Sequence, residues 1–108
     1  TNYAQALDYF RQSLRDAVEL GAEPIALEAL VGIASVYVKR DKDDAALELL
    51  GMAVSHPASS SEIRGLADPI LEDIQTRRSE AEVTAALGKV TGIDLAGLAG
   101  RVLGTASG

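Results

Sequence analysis

The sequence predicts an all-α domain of five or six antiparallel helices, and three observations lead to that prediction. Alanine and leucine dominate a composition that is 47% apolar, with three tyrosines and one phenylalanine as its aromatic residues, and such a composition favours helix over sheet. Apolar residues recur at spacings of three and four, which places them on one face of a helix. Residues that start or stop helices separate these stripes. The 108 residues suffice for a single domain with its own core.

Three helices are predicted in the first half of the chain. Helix one runs from about Asn2 to Leu20 and stops at Gly21, a residue that favours helix C-termini. Its apolar stripe consists of Tyr3, Ala6, Leu7, Phe10, Leu14, Ala17 and Val18. Helix two begins near Pro24, since proline is favoured in a first turn, and ends near Lys39 or Arg40. Helix three, about Lys42 to Ser55, is apolar nearly all round, which indicates burial between neighbours.

Helices four to six follow a serine-rich loop that supplies an N-cap. Helix four is predicted from about Ser61 to Arg77, with Pro69 kinking or splitting it. Ser79 and Glu82 form a capping box that opens helix five, which ends near Gly88 or Lys89. After a turn at Thr91-Gly92, Asp94 caps a last helix from Leu95 to Leu103.

Residues 27–60 carry the pattern of a helical hairpin. Two stripes face each other across a polar turn, formed by Leu30, Ile33, Ala34 and Tyr37 and by Ala46, Leu50 and Ala53. This alternation of large and small residues over 34 positions resembles the tetratricopeptide repeat, a helix–turn–helix unit of about 34 residues. In this sequence Leu30 stands at the family's aromatic position, Ala34 at its glycine and Pro57 near its closing proline. The resemblance implies a right-handed α-α superhelix of antiparallel hairpins.

The resemblance also implies a domain organisation within residues 1–108. Residues 2–20 look like the second helix of a preceding repeat, residues 27–60 form the complete repeat, and residues 61–104 are divergent C-terminal helices. Because the pattern opens in mid-repeat at Thr1, we expect a fragment of a longer protein. The C-terminal part is similar to the repeat regions of large bacterial signalling proteins, in which repeats follow a nucleotide-binding switch module or a transcriptional activation domain.

The sequence argues against several classes of chemistry. A net charge of −6 repels phosphate backbones, so nucleic acid is not an expected partner. The chain has no cysteine, a single histidine, His56, and no phosphate loop, nucleophile elbow or zinc-protease motif. We therefore predict no catalytic residue, cofactor or metal, and no enzymatic activity. No apolar run reaches the roughly 20 residues of a membrane helix, and a cytoplasmic protein is expected.

The expected function is a scaffold that binds a protein or peptide, as a regulatory part of a larger signalling or transcription-regulating protein. By resemblance to the repeat family, the first helix of the hairpin would contact the partner through Glu28, Val31, Ser35, Val38 and Lys39. The alternative for Val31 and Val38 is packing against a neighbouring helix. The competing function is a small-molecule sensor that controls an attached ATPase or activator, which would need a concave apolar cavity.

Helix one also predicts self-association. Its stripe would be covered by a preceding helix in a complete solenoid. In the isolated chain we expect Tyr3, Phe10, Leu14 and Val18 to remain open, and we expect a two-fold homodimer through the N-terminal helix.

Overall fold

The computed structural model describes residues 3–88 and 92–106, and these residues form six α-helices with no β-strand among them. The helices are α1 (Tyr3–Leu20), α2 (Glu23–Lys39), α3 (Asp43–Ser55), α4 (Ser61–Gln75), α5 (Glu80–Gly88) and α6 (Leu95–Ala106). This confirms the predicted all-α fold of five or six helices. Asn2, where helix one was predicted to start, Lys89, the later of the two predicted ends of helix five, and Thr91 of the predicted Thr91-Gly92 turn lie outside the described residues.

Two polar contacts show how the helices run. His56, which follows α3, places its Nε2 3.6 Å from a carboxylate oxygen of Glu23 at the start of α2. Asp43 at the start of α3 binds Arg77, which follows the end of α4. Helix α3 is therefore antiparallel to both α2 and α4, and those two helices run in the same direction.

Helix α2 is the centre of the fold. Nine of its 17 residues are buried, and between Ala26 and Val38 only Glu28 is exposed. Helices α1, α3 and α4 all pack against α2, and α5 packs against α3. The sequence predicted this degree of burial for α3, which buries eight residues, but α2 is enclosed to the same extent.

Helix α6 returns to the first part of the chain and packs against α1. Leu95 and Ala96 border a cavity of about 130 Å³ beside Ala17 of α1, and a second cavity of the same volume separates Leu98 from Tyr37 of α2. In a solenoid each repeat contacts only its neighbours. The return of α6 is therefore an addition that the repeat pattern did not predict.

Local chemistry sets the ends of the helices as predicted. The Ser60 hydroxyl accepts a hydrogen bond from a backbone N–H in the first turn of α4 at 3.2 Å. In the capping box, Ser79 and Glu82 each accept a hydrogen bond from the other's backbone N–H at 3.1 Å. Asp94 accepts one from the Gly97 N–H at 2.7 Å. These side chains satisfy backbone donors that have no partner inside the helix.

Backbone conformation accounts for two turns. Gly21 ends α1 with a φ of +69°, a left-handed value that glycine adopts without a steric penalty. Asp41, in the turn between α2 and α3, has a φ of 60° despite its side chain. Helix α4 continues through Pro69 without interruption, so the predicted splitting of this segment does not occur.

A buried carboxylate ties the end of α4 to the start of α3. Asp43 is only 6% exposed, and its oxygens accept hydrogen bonds from Arg77 at 3.1 Å and from Arg78 at 3.3 Å. The hydrogen bonds from Arg77, assisted by those from Arg78, hold the pKa of the Asp43 carboxyl below its usual value although burial opposes them. The two arginines also bind Asp73 and Glu82, one turn away on either side.

Candidate functional site

One strip of α2 faces solvent, and it forms the floor of a groove between α1 and α4. The groove has a volume of about 350 Å³. We call it the α2 groove, and it is lined by Phe10, Glu28, Val31, Gly32, Ser35, Leu66 and Ile70. Tyr37, which faces α6, is nine residues after Glu28 and so lies half a turn round the helix. The α2 groove and α6 therefore occupy opposite sides of α2.

The five predicted partner-contacting residues separate into three kinds of position. Glu28 and Lys39 are exposed, Ser35 and Val38 are half-buried, and Val31 is only 4% exposed. The structure brings Glu28, Val31 and Ser35 together in the α2 groove, whereas Val38 and Lys39 are not among its lining residues.

Burial changes the role of Val31. Its side chain belongs to the hydrophobic core, so it supports the floor of the groove and offers almost no surface to a partner. This placement removes Val31 from the set of direct contacts and agrees with the packing alternative. The Ser35 hydroxyl donates a hydrogen bond to the Gly32 carbonyl at 2.7 Å, which leaves its oxygen able to accept another.

The walls of the groove come from residues outside the five predicted partner contacts, and one of them, Phe10, was predicted for self-association. Leu66 of α4 is 54% exposed, and Ile70 follows one turn later on the same wall. Phe10 of α1 lies against the backbone of α2 at Gly32, where a Cβ would come within 2.4 Å of the ring. Only glycine permits this approach, and the stripes in the sequence could not show which helix would receive the phenylalanine ring.

Charge in and around the groove is unevenly distributed. Glu28 is the only charged residue among those that line it. Glu62 lies four residues before Leu66 and hence on the same face of α4. Both are exposed, and neither carboxylate has a hydrogen bond or ion pair with another described residue. Lys39 is on the same face of α2 as Glu28, 11 residues further on, which corresponds to roughly 16 Å along the helix.

The predicted self-association stripe is covered to a large extent within the chain. Leu14 is fully buried, Tyr3 and Phe10 are half-buried, and Val18 is 38% exposed beside the first residues of α6. Leu14 therefore offers no surface for a dimer.

The apolar surface that remains open borders this stripe. Tyr9 is 70% exposed, and its ring meets the Phe10 ring edge-on with centroids 5.4 Å apart. Leu20 and Ile25, at the junction of α1 and α2, are 81% and 52% exposed. The sequence placed none of these three among the candidate contacts because they lie off the regular stripe.

The described residues offer less support for a metal site, a membrane-spanning helix or a second binding cleft. They hold no group of three or more His, Cys, Asp or Glu side chains suited to a metal ion. No helix in the ranges 3–88 and 92–106 has the length and apolar character needed to cross a membrane. A cleft of about 430 Å³ opens near Arg78 and Glu80, but Arg78 is already engaged by Asp43 and Glu82.

Comparison with known proteins adds no relative to this picture. No protein-family model matches the chain, and neither a curated protein nor a solved structure shows significant similarity to it. The tetratricopeptide resemblance therefore stays a prediction from the residue pattern, and the α2 groove is the feature on which a functional proposal can rest.

Proposed function

We propose that this domain is a protein-interaction module that holds an apolar helical segment of a partner protein in the α2 groove. One observation carries the proposal: α2 is enclosed by other helices except along one strip, and that strip is the floor of an apolar groove. Exposed apolar surface between helices is a common site for an amphipathic helix that inserts side chains at positions i, i+3, i+4 and i+7.

The open wall of the groove, and not its volume, favours this occupant over a small metabolite. The two cavities beside α6 each measure about 130 Å³, whereas small-molecule pockets usually measure about 300–1,000 Å³. The α2 groove is larger, at about 350 Å³, but Leu66 stands half exposed at its wall. An open wall of that kind gives a helix apolar contact along its length. The sensor function therefore has less support from the described residues.

The sequence resemblance extends the proposal to the parent protein. We propose that the module is a regulatory, non-enzymatic part of a larger signalling or transcription-regulating protein and that it acts in the cytoplasm. The support for this extension is the resemblance of residues 27–60 to the tetratricopeptide repeat and of the C-terminal helices to the repeat regions of such proteins.

The proposed binding of a partner helix is tested by measuring peptide binding to a variant with an altered groove wall. The probe is a fluorescein-labelled amphipathic peptide of about 16 residues, roughly 24 Å long as a helix, with leucines at i, i+3, i+4 and i+7. We expect Leu66→Glu to abolish binding because it places a charge on the apolar wall, while the unfolding midpoint stays nearly unchanged since Leu66 is 54% exposed.

A matched variant controls for the general effect of the substitution. Leu20→Glu makes the same change at another exposed leucine, outside the residues that line the α2 groove. It should bind the peptide as the unmodified protein does. If no amphipathic peptide binds, or if Leu66→Glu binds as tightly as Leu20→Glu, the groove is not the interaction site.

A further inference from the structure

We propose that the segment held in the α2 groove is a basic amphipathic helix, whose lysine or arginine side chains pair with Glu28 and Glu62. This inference rests on the proposed function, because it names the chemistry of the partner for the same groove. Three observations support it: the position of the two carboxylates, their lack of partners, and the charge at the other end of α2.

The two carboxylates lie at the same end of the groove. Helices α2 and α4 run in the same direction because both are antiparallel to α3. Glu28 is in the second turn of α2, and Glu62 is in the first turn of α4. Both lie on faces that border the groove, Glu28 in its floor and Glu62 one turn before Leu66.

Neither carboxylate is neutralised within the described residues. Some acids near helix ends have partners: Glu23 faces His56, and Asp73 binds Arg77. Glu28 and Glu62 make no such contact. Two like charges beside one apolar surface repel each other, and a cation placed between them relieves that repulsion. An acidic partner would add a third negative charge and bind more weakly.

Lys39 sets the direction of the partner. It is exposed on the same face of α2, roughly 16 Å from Glu28 along the helix, at the end of α2 opposite to the two carboxylates. A cationic end of the partner is therefore attracted to Glu28 and Glu62 and repelled by Lys39. The partner helix accordingly has apolar anchors in its middle and its basic residues at the end that lies over the start of α2 and α4.

Two peptides with one apolar face test this charge preference. Both carry the same leucines, and they differ only in having three lysines or three glutamates at one end. We expect the lysine peptide to bind about tenfold more tightly at low salt, with the advantage shrinking as salt rises. Glu28→Lys should remove the preference, and Glu62→Lys should reduce it. Glu72→Lys, at an exposed carboxylate on another face of α4, is the matched control and should leave it unchanged.

The outcomes separate the charge preference from the groove itself. If both peptides bind equally and Leu66→Glu still abolishes binding, the groove is a helix-binding site but the basic partner is wrong. Tighter binding of the glutamate peptide, or an equal loss in Glu72→Lys and Glu28→Lys, also overturns the inference. If sedimentation shows a dimer that the peptides dissociate and Leu66→Glu prevents, a second copy of this chain is the occupant and the inference fails.

Discussion

Replacing Gly32 by alanine tests the contact between α1 and α2 at the wall of the α2 groove. The new Cβ would lie 2.4, 2.5 and 2.7 Å from Cε1, Cδ1 and Cζ of the Phe10 ring. Carbon atoms in contact normally lie about 3.5–4.0 Å apart, so the ring would have to move by about 1 Å. Overpacking of this kind costs about 1–3 kcal/mol, and alanine gains about 1 kcal/mol over glycine inside a helix. The expected net loss in the free energy of unfolding is therefore about 0–2 kcal/mol.

The same substitution should change sign when the ring is absent. In a Phe10→Ala background the three atoms nearest to the new methyl group are absent, so Gly32→Ala should stabilise the fold by about 1 kcal/mol through helix propensity. The coupling between the two positions is then about 1–3 kcal/mol, which is typical of residues in direct contact.

Urea unfolding followed by far-ultraviolet circular dichroism measures all four proteins of this cycle. Gly65→Ala in α4 is the control, because a Cβ at Gly65 meets nothing within 4 Å, and it should stabilise both backgrounds equally. If Gly32→Ala has the same effect with and without the Phe10 ring, the ring does not lie against α2 at this position and the described groove wall is wrong.

Three further predictions concern the core, the buried carboxylate and self-association. Ala46 is fully buried, so Ala46→Leu should overpack the interface of α2 and α3 and cost about 1–3 kcal/mol in urea unfolding; an unchanged midpoint would contradict this. Asp43→Asn should cost about 1–3 kcal/mol at neutral pH because it removes the negative charge and one of the two oxygens that accept hydrogen bonds from Arg77 and Arg78; an unchanged unfolding midpoint would contradict this. Since folding lowers the pKa of Asp43, its contribution is present above the unfolded pKa of about 4 and is lost as the pH falls through the lower folded value. The difference between the two proteins should therefore shrink below about pH 4, and a constant difference down to pH 2 would refute the linkage. If the isolated chain dimerises in sedimentation, Tyr9→Lys should dissociate the dimer, because Tyr9 is the most exposed residue of the open aromatic pair on α1.

The parts of the fold that depend on neighbouring residues could be predicted from the sequence. A serine or aspartate that caps a helix binds backbone groups two or three residues away. The caps at Ser60, Ser79 and Asp94 could therefore be predicted from the local sequence alone. The end of α1 at Gly21 could be predicted for the same reason, since a helix that ends at a glycine with positive φ requires no distant partner. The predicted helix bounds agree with those of the structure to within two residues, except at the end of α6.

The candidate site depended on contacts that a single stripe does not specify. An apolar residue on α2 indicates burial, but the sequence does not show which helix covers it. Val31 fitted a surface position as well as a core position, and only the fold shows that it lies beside Leu66 and Ile70 of α4 and is buried. Asp43 looked like the other two aspartates of its turn, and only the fold brings Arg77 to it from 34 residues away. Leu66 and Tyr9 were not predicted as exposed residues for the same reason, because the sequence does not show which side chains the neighbouring helices leave uncovered.

The return of α6 to α1 bears on the order in which the polypeptide completes its core. Hairpins between adjacent helices close short loops, whereas Leu95 reaches Ala17 across about 80 residues of chain, and the entropy of closing a loop rises with its length. During synthesis the N-terminal helices emerge first. The face of α1 and α2 that α6 will cover therefore stays open to water, and to chaperones, until α6 has left the ribosome.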